Sequence, residues 1–159
     1  MFIDRATLVV TVLSALGSGL IAGVFFIFSV AIMRALERLP NGAAAMNMIS
    51  VVIINPMFLG VFMGTAVLCI LLAIGSVFRW QQPGTIWLLT GALLYLIGSI
   101  GVTMIFNVPM NNTLAAATAE NTESVWKDYL TNWTFWNHVR TIASLAASAS
   151  FMVALIYER

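Results

Sequence analysis

The chain has 159 residues, of which 61% are hydrophobic and 8% are charged, with a net charge of +1. Soluble domains carry about 25% charged residues and about 45–50% apolar ones, so this composition excludes a water-soluble globular domain and a disordered chain. The charge balance gives no basic footprint, so no nucleic-acid partner is expected. An integral membrane protein remains.

A membrane-spanning helix takes about 20 apolar residues. Four of them with their loops use nearly the whole chain, so the expected fold is an all-α, four-helix transmembrane bundle. It forms one domain over residues 1–159, with both termini on the same side. The first span reads over 6–33. It exceeds the about 7–15-residue core of a signal peptide and is read as a retained helix. Arg34, Glu37 and Arg38 end it in a polar turn that is still helical, and Pro40-Asn41-Gly42 then breaks it. Residues 43–54 read either as an interfacial helix or as the start of the second span.

Asn55-Pro56 marks a helix entry, because proline is tolerated at the first helical position. The second span follows over 57–78. A polar turn, Arg79 to Gly84, separates it from the third span, 85–106. The longest polar stretch runs from Asn107 to Asp128. An amphipathic helical segment around Ser124–Trp136 then leads into the fourth span, 136–157. Gly19 and Gly23, Gly60 and Gly64, and the small residues from Ala143 to Ser150 read as places where helices touch. The single cysteine, Cys69, lies in an apolar run. It excludes an intrachain disulfide and reads as a buried, inert thiol.

Because alternate spans reverse direction, most of the polar side chains gather at one surface. Arg34, Asn55, Asn107, Asn111, Asn112, Asn132, Asn137, His138 and Arg140 all fall there. Polar groups at membrane depth usually face a bundle interior or a wet cavity. A single polar-ended cavity, open toward the loops after the first and third spans, is therefore expected. Residues 106–112, Phe-Asn-Val-Pro-Met-Asn-Asn, read as a C-terminal cap and turn, or as amides of Asn107 and Asn111 aimed into the cavity.

The segment 133–140, Trp-Thr-Phe-Trp-Asn-His-Val-Arg, reads either as interfacial anchoring with structural hydrogen bonds or as a ligand-contacting face. At about 100° per residue, Trp133, Trp136, Asn137, Arg140 and Ser144 share one side, and His138 projects about 160° from Arg140. His138 is the only histidine and, as the residue type most used for proton transfer, the candidate general base. No second histidine, cysteine pair or carboxylate cluster accompanies it, so neither a haem nor a metal site is expected within one chain.

These pieces resemble the anthrone oxygenase-like family of small four-helix membrane proteins. The matching residues are 19–26 with Ser29, Asn55-Pro56-Met57-Phe58, Asn107-Val108-Pro109-Met110-Asn111, Trp133, and Trp136 to Thr141. The resemblance implies oxidation of an anthrone to an anthraquinone by O₂ without metal or flavin. Many relatives are bacterial, which makes an inner membrane the expected location.

Under that reading His138 removes the substrate proton, and Asn107, Asn111 or Asn137 holds the enolate oxygen. Trp133 and Trp136 stack on the flat substrate, and Arg140, Arg34 and Asn55 complete its site. The expected partners are membrane lipid, a small apolar substrate, O₂ and a second copy of the chain. The alternatives are an oligomeric module that binds or carries a small quinone-like molecule, with Arg34 and Arg140 on its acidic head, and an accessory subunit of a membrane complex.

Overall fold

A computed structural model describes residues 5–157. These form five helices: α1 (Arg5–Glu37), α2 (Gly42–Val52), α3 (Pro56–Phe78), α4 (Thr85–Ala115) and α5 (Thr122–Tyr157). All except α2 are long and apolar enough to cross a membrane. Among the described residues there are no strands. Such a bundle satisfies every backbone bond within each segment, which lipid demands.

α1 packs on α3 and α5, and α4 closes the ring by packing on the same two. α1 and α5 run antiparallel: Ser148 Oγ donates to the Ala15 carbonyl at 2.8 Å, and Asn137 Nδ2 donates to that of Phe25. Ile21, Phe62, Cys69, Tyr95 and Phe151 lie at the centre. The Tyr95 hydroxyl is buried there and donates to the Phe62 carbonyl at 3.1 Å. Leu16, Val67, Ile97 and Ile142 cover the outside.

α4, the third span, does not stop before Pro109. In a regular α-helix that proline lacks the N–H for the carbonyl four residues back, and its ring strikes that carbonyl. Here a π-helical turn, Thr103–Asn107, precedes it, and the Val108 N–H bonds to the Thr103 carbonyl five residues back. The wider turn absorbs the proline and the helix continues to Ala115, so Asn107 to Asn112 is neither a cap nor a turn. A second π segment occupies Leu96–Gly101 of α4, and a third Phe28–Ile32 of α1.

The other boundaries fall close to those expected. α1 runs on through Arg34 to Glu37, the helical polar turn expected there. α2 is a helix of its own, separated from α3 by the Asn55 cap. The amphipathic segment and the fourth span fuse into one 36-residue helix. At about 1.5 Å per residue it outruns an about 30 Å hydrocarbon core, so one end stands outside it.

Small residues set the close approaches, but not at both expected glycine pairs. A Cβ on Gly17 collides with the Thr65 hydroxyl, and one on Gly98 collides with the Ala143 methyl. Gly19 lies against Ser148, whereas Gly23, Gly60 and Gly64 meet nothing within 4 Å. Gly17→Val is therefore expected to destabilise the bundle by about 1–3 kcal/mol through overpacking. Gly60→Ala is expected to be neutral or stabilising, because alanine is the better helix former. Thermal unfolding in detergent micelles separates the two.

Candidate functional site

A cavity of about 230 Å³ lies between α1, α3, α4 and α5. Phe25 and Phe28 of α1, Phe58 and Phe62 of α3, and Trp133 of α5 supply aromatic walls. Phe25 meets Phe62 edge-on at 6.2 Å, and Phe28 tilts against Trp133 at 5.9 Å. The polar lining is confined to Ser50, Thr103, Asn111 and Arg140.

On the side where an opening toward the loops is expected, the cavity meets α2. Met46, Ile49, Ser50 and Ile53, on α2 and just past its end, line it from that side. Asn47 Nδ2 ties α2 to the Leu114 carbonyl of α4 at 3.4 Å, and Met46 is buried. A short apolar helix thus covers the loop end.

Arg140 does not extend outward along its stem; it is 5% exposed. Its NH1 donates to Thr103 Oγ1 at 3.1 Å and its NH2 to Asn137 Oδ1 at 2.6 Å. Nε is buried with no partner. The guanidinium carbon lies 4.1 Å from the Phe25 ring centre and 5.2 Å from that of Trp133, within cation–π range. Among the described residues no carboxylate pairs with it. A guanidinium carries five N–H donors, so this one keeps capacity beyond its two protein bonds.

Asn137 builds that arrangement. It is fully buried, and its Nδ2 donates to the Phe25 carbonyl and to Ser29 Oγ, both at 2.6 Å. Ser29 lies in the π turn of α1, where bonding to the fifth residue displaces the regular ladder beside Phe25. Asn137 therefore locks α1 to α5 and presents its carbonyl oxygen to Arg140.

Asn111 lines the cavity with a different pattern. Its Oδ1 accepts from the Tyr129 hydroxyl at 2.7 Å and from Trp133 Nε1 at 2.9 Å. That assignment leaves its amide nitrogen as a donor at the cavity. Trp126, Tyr129 and Trp133 stack in succession along α5, at 5.6 and 5.7 Å between ring centres.

The remaining predicted residues stand elsewhere. His138 is exposed on α5 and does not line the cavity. Arg34 is exposed on α1. Asn55 caps α3, its Oδ1 accepting from the Met57 and Phe58 N–H groups at 3.1 and 3.0 Å. Trp136 stacks flat on Phe106 at 3.5 Å, outside the cavity lining. Asn107 is buried and donates to the Trp133 carbonyl at 3.3 Å, with its Oδ1 unpaired.

The structure thus brings Arg140, Asn137, Asn111 and Trp133 together and adds Thr103, Tyr129, Ser29, Phe25 and Phe28. Two of the additions carry a signal in the sequence, since Thr103 and Tyr129 sit four residues before Asn107 and Trp133. Among the described residues no three His, Cys, Asp or Glu side chains group as a metal site.

These features define a four-span membrane bundle built around an aromatic cavity with a buried arginine. A family model described as Anthrone oxygenase matches residues 57–150, from the start of α3 into α5. The match takes in more than half of the chain, including Thr103, Asn111, Trp133 and Arg140, and the chain belongs to the anthrone oxygenase family. No curated protein and no solved structure matches it.

Proposed function

We propose that the protein is a membrane oxygenase that converts an acidic CH₂ group beside an aromatic ketone into a carbonyl, using O₂ and no added cofactor. The observation that carries this reading is a buried guanidinium with no carboxylate partner among the described residues, facing an aromatic cavity inside a membrane span. Such a site favours a flat apolar molecule whose oxygen becomes anionic.

The chemistry then follows from charge. A substrate carbonyl oxygen held by Arg140 acidifies the neighbouring CH₂, because the enolate is stabilised and the neutral ketone much less so. The Asn111 amide supplies a second donor to that oxygen, and water takes the proton. The carbanion carbon bonds O₂ and regains a proton as a hydroperoxide. Loss of water from that carbon leaves the ketone. In sum CH₂ plus O₂ gives C=O plus H₂O, and O₂ is the only oxidant. Asn137 and Thr103 act as positioning residues that hold the guanidinium in place.

The bundle is proposed to sit in an inner membrane with both chain ends on one side, which the antiparallel α1 and α5 support. In this reading His138 plays no part in the proton step. Oxygen uptake with anthrone by His138→Ala in detergent is expected to equal that of the wild type. Uptake that collapses in this variant returns the base role to His138, acting from the outer face of α5. A second reading rests on the lining, which includes neither imidazole nor carboxylate: a module that binds or carries a quinone-like molecule. Saturable binding of anthrone without oxygen uptake above background selects it.

A further inference from the structure

Four of the residues that line the cavity are also exposed on the outside of the bundle. Ile54 is 65% exposed, Leu59 37%, Met63 49% and Met104 63%. A side chain that touches both the interior and the exterior marks a mouth. All four are apolar: Ile54 stands in the link just before α3, Leu59 and Met63 on α3, and Met104 on α4.

The backbone explains the gap. α3 packs closely on α4 over Thr85–Tyr95 and still touches it over Leu96–Gly101. It parts from α4 at the π turn Thr103–Asn107, beside Met104. Met63 lies about 10 Å along α3 from its start at Pro56, and Met104 lies well inside α4, eleven residues before its end at Ala115. The mouth is therefore set within apolar helix surface, where hydrocarbon and not water is the surrounding medium. The loop end is covered by α2, which Asn47 fastens to α4.

We propose that the cavity opens sideways into the bilayer between α3 and α4. Its occupant is a molecule dissolved in the membrane, which enters with its oxygenated ring toward Arg140 and leaves an apolar remainder in the mouth. Of the polar lining residues Ser50, Thr103, Asn111 and Arg140, the guanidinium is the buried one, while the four mouth residues offer only hydrocarbon and thioether surface. A cavity of about 230 Å³ accepts a ring system, and an alkyl or prenyl tail has room only through the mouth. The substrate half of this proposal rests on the cavity being the reaction site; the route does not.

The test places the full chain in phosphatidylcholine liposomes with an apolar aryl diazirine confined to the hydrocarbon. After photolysis, labelled residues are mapped by mass spectrometry. The expected result is labelling of the cavity walls Phe28 and Trp133, although each is under 10% exposed, together with the outer-face residues Ile142 and Leu145. Met63→Trp/Met104→Trp is expected to abolish wall labelling and to leave Ile142 and Leu145 labelled, which shows that the variant is folded and inserted.

Labelling confined to the outer face in the wild type overturns the route. So does wall labelling by a charged, water-soluble diazirine that persists in the double tryptophan variant. Loss of wall labelling when an anthrone with an alkyl tail is added supports the substrate half. Wall labelling that such an anthrone never competes overturns the substrate half while the route stands.

Discussion

Arg140→Leu is expected to lower catalysed oxygen uptake with anthrone by about 10²–10³-fold, the usual cost of removing a principal donor to a developing oxyanion. The fold is expected to survive. Replacing a buried charge by an apolar side chain of similar volume is often neutral for stability, and among the described residues this guanidinium has no carboxylate to strand. What remains is an Asn137 oxygen that loses one donor but keeps its amide bonds to the Phe25 carbonyl and Ser29.

Arg140→Lys retains the charge but not the fork that reaches Thr103 and Asn137 at once. Its rate is expected to fall between those of wild type and leucine. Measuring uptake alongside the unfolding midpoint separates chemistry from stability. Leucine at wild-type rate removes Arg140 from the reaction and turns attention to the binding module.

The largest stability effect is expected at Asn137. Asn137→Leu removes three hydrogen bonds of 2.6 Å and leaves the Phe25 carbonyl, the Ser29 hydroxyl and one Arg140 N–H without partners. Hydrogen bonds inside membrane proteins average about 0.6 kcal/mol and reach about 1.7, and those to charged groups count for about 1.5–3. The expected loss is about 2–4 kcal/mol, read as a shift in unfolding in mixed sodium dodecyl sulfate and maltoside micelles.

Asn137→Asp keeps an acceptor for Arg140 but turns a donor pair toward the Phe25 carbonyl into a repulsive contact, so it is expected to rescue little. Asn107→Ala provides the contrast. Its one bond is 3.3 Å long and its own Oδ1 is unpaired, so removing the unpaired oxygen offsets the lost bond and the variant stays near wild-type stability.

Composition and helical period by themselves established the four apolar helices and the division of α5 into two faces. These are local properties: about 20 apolar residues in a row have one solution in lipid, and 100° per residue sets Asn137 and Arg140 on one side and His138 on the other. The family was legible for the same reason, since its residues lie in short contiguous blocks. The cap at Asn55 was also local, as an Asn-Pro pair at a helix start.

The tertiary structure decided the rest. A π turn before Pro109 absorbs the proline, with the Val108 N–H bonded to the Thr103 carbonyl, so the expected stop became a through-going helix. Arg140 has the stem to reach the surface, yet Thr103 of α4, Phe25 of α1, and Asn137 and Trp133 of its own helix hold it inward. Asn111 gains its orientation only from Tyr129 and Trp133 on another helix. The cover by α2 and the sideways mouth exist only once the helices diverge, because the space between helices is a property of their crossing and of no single segment.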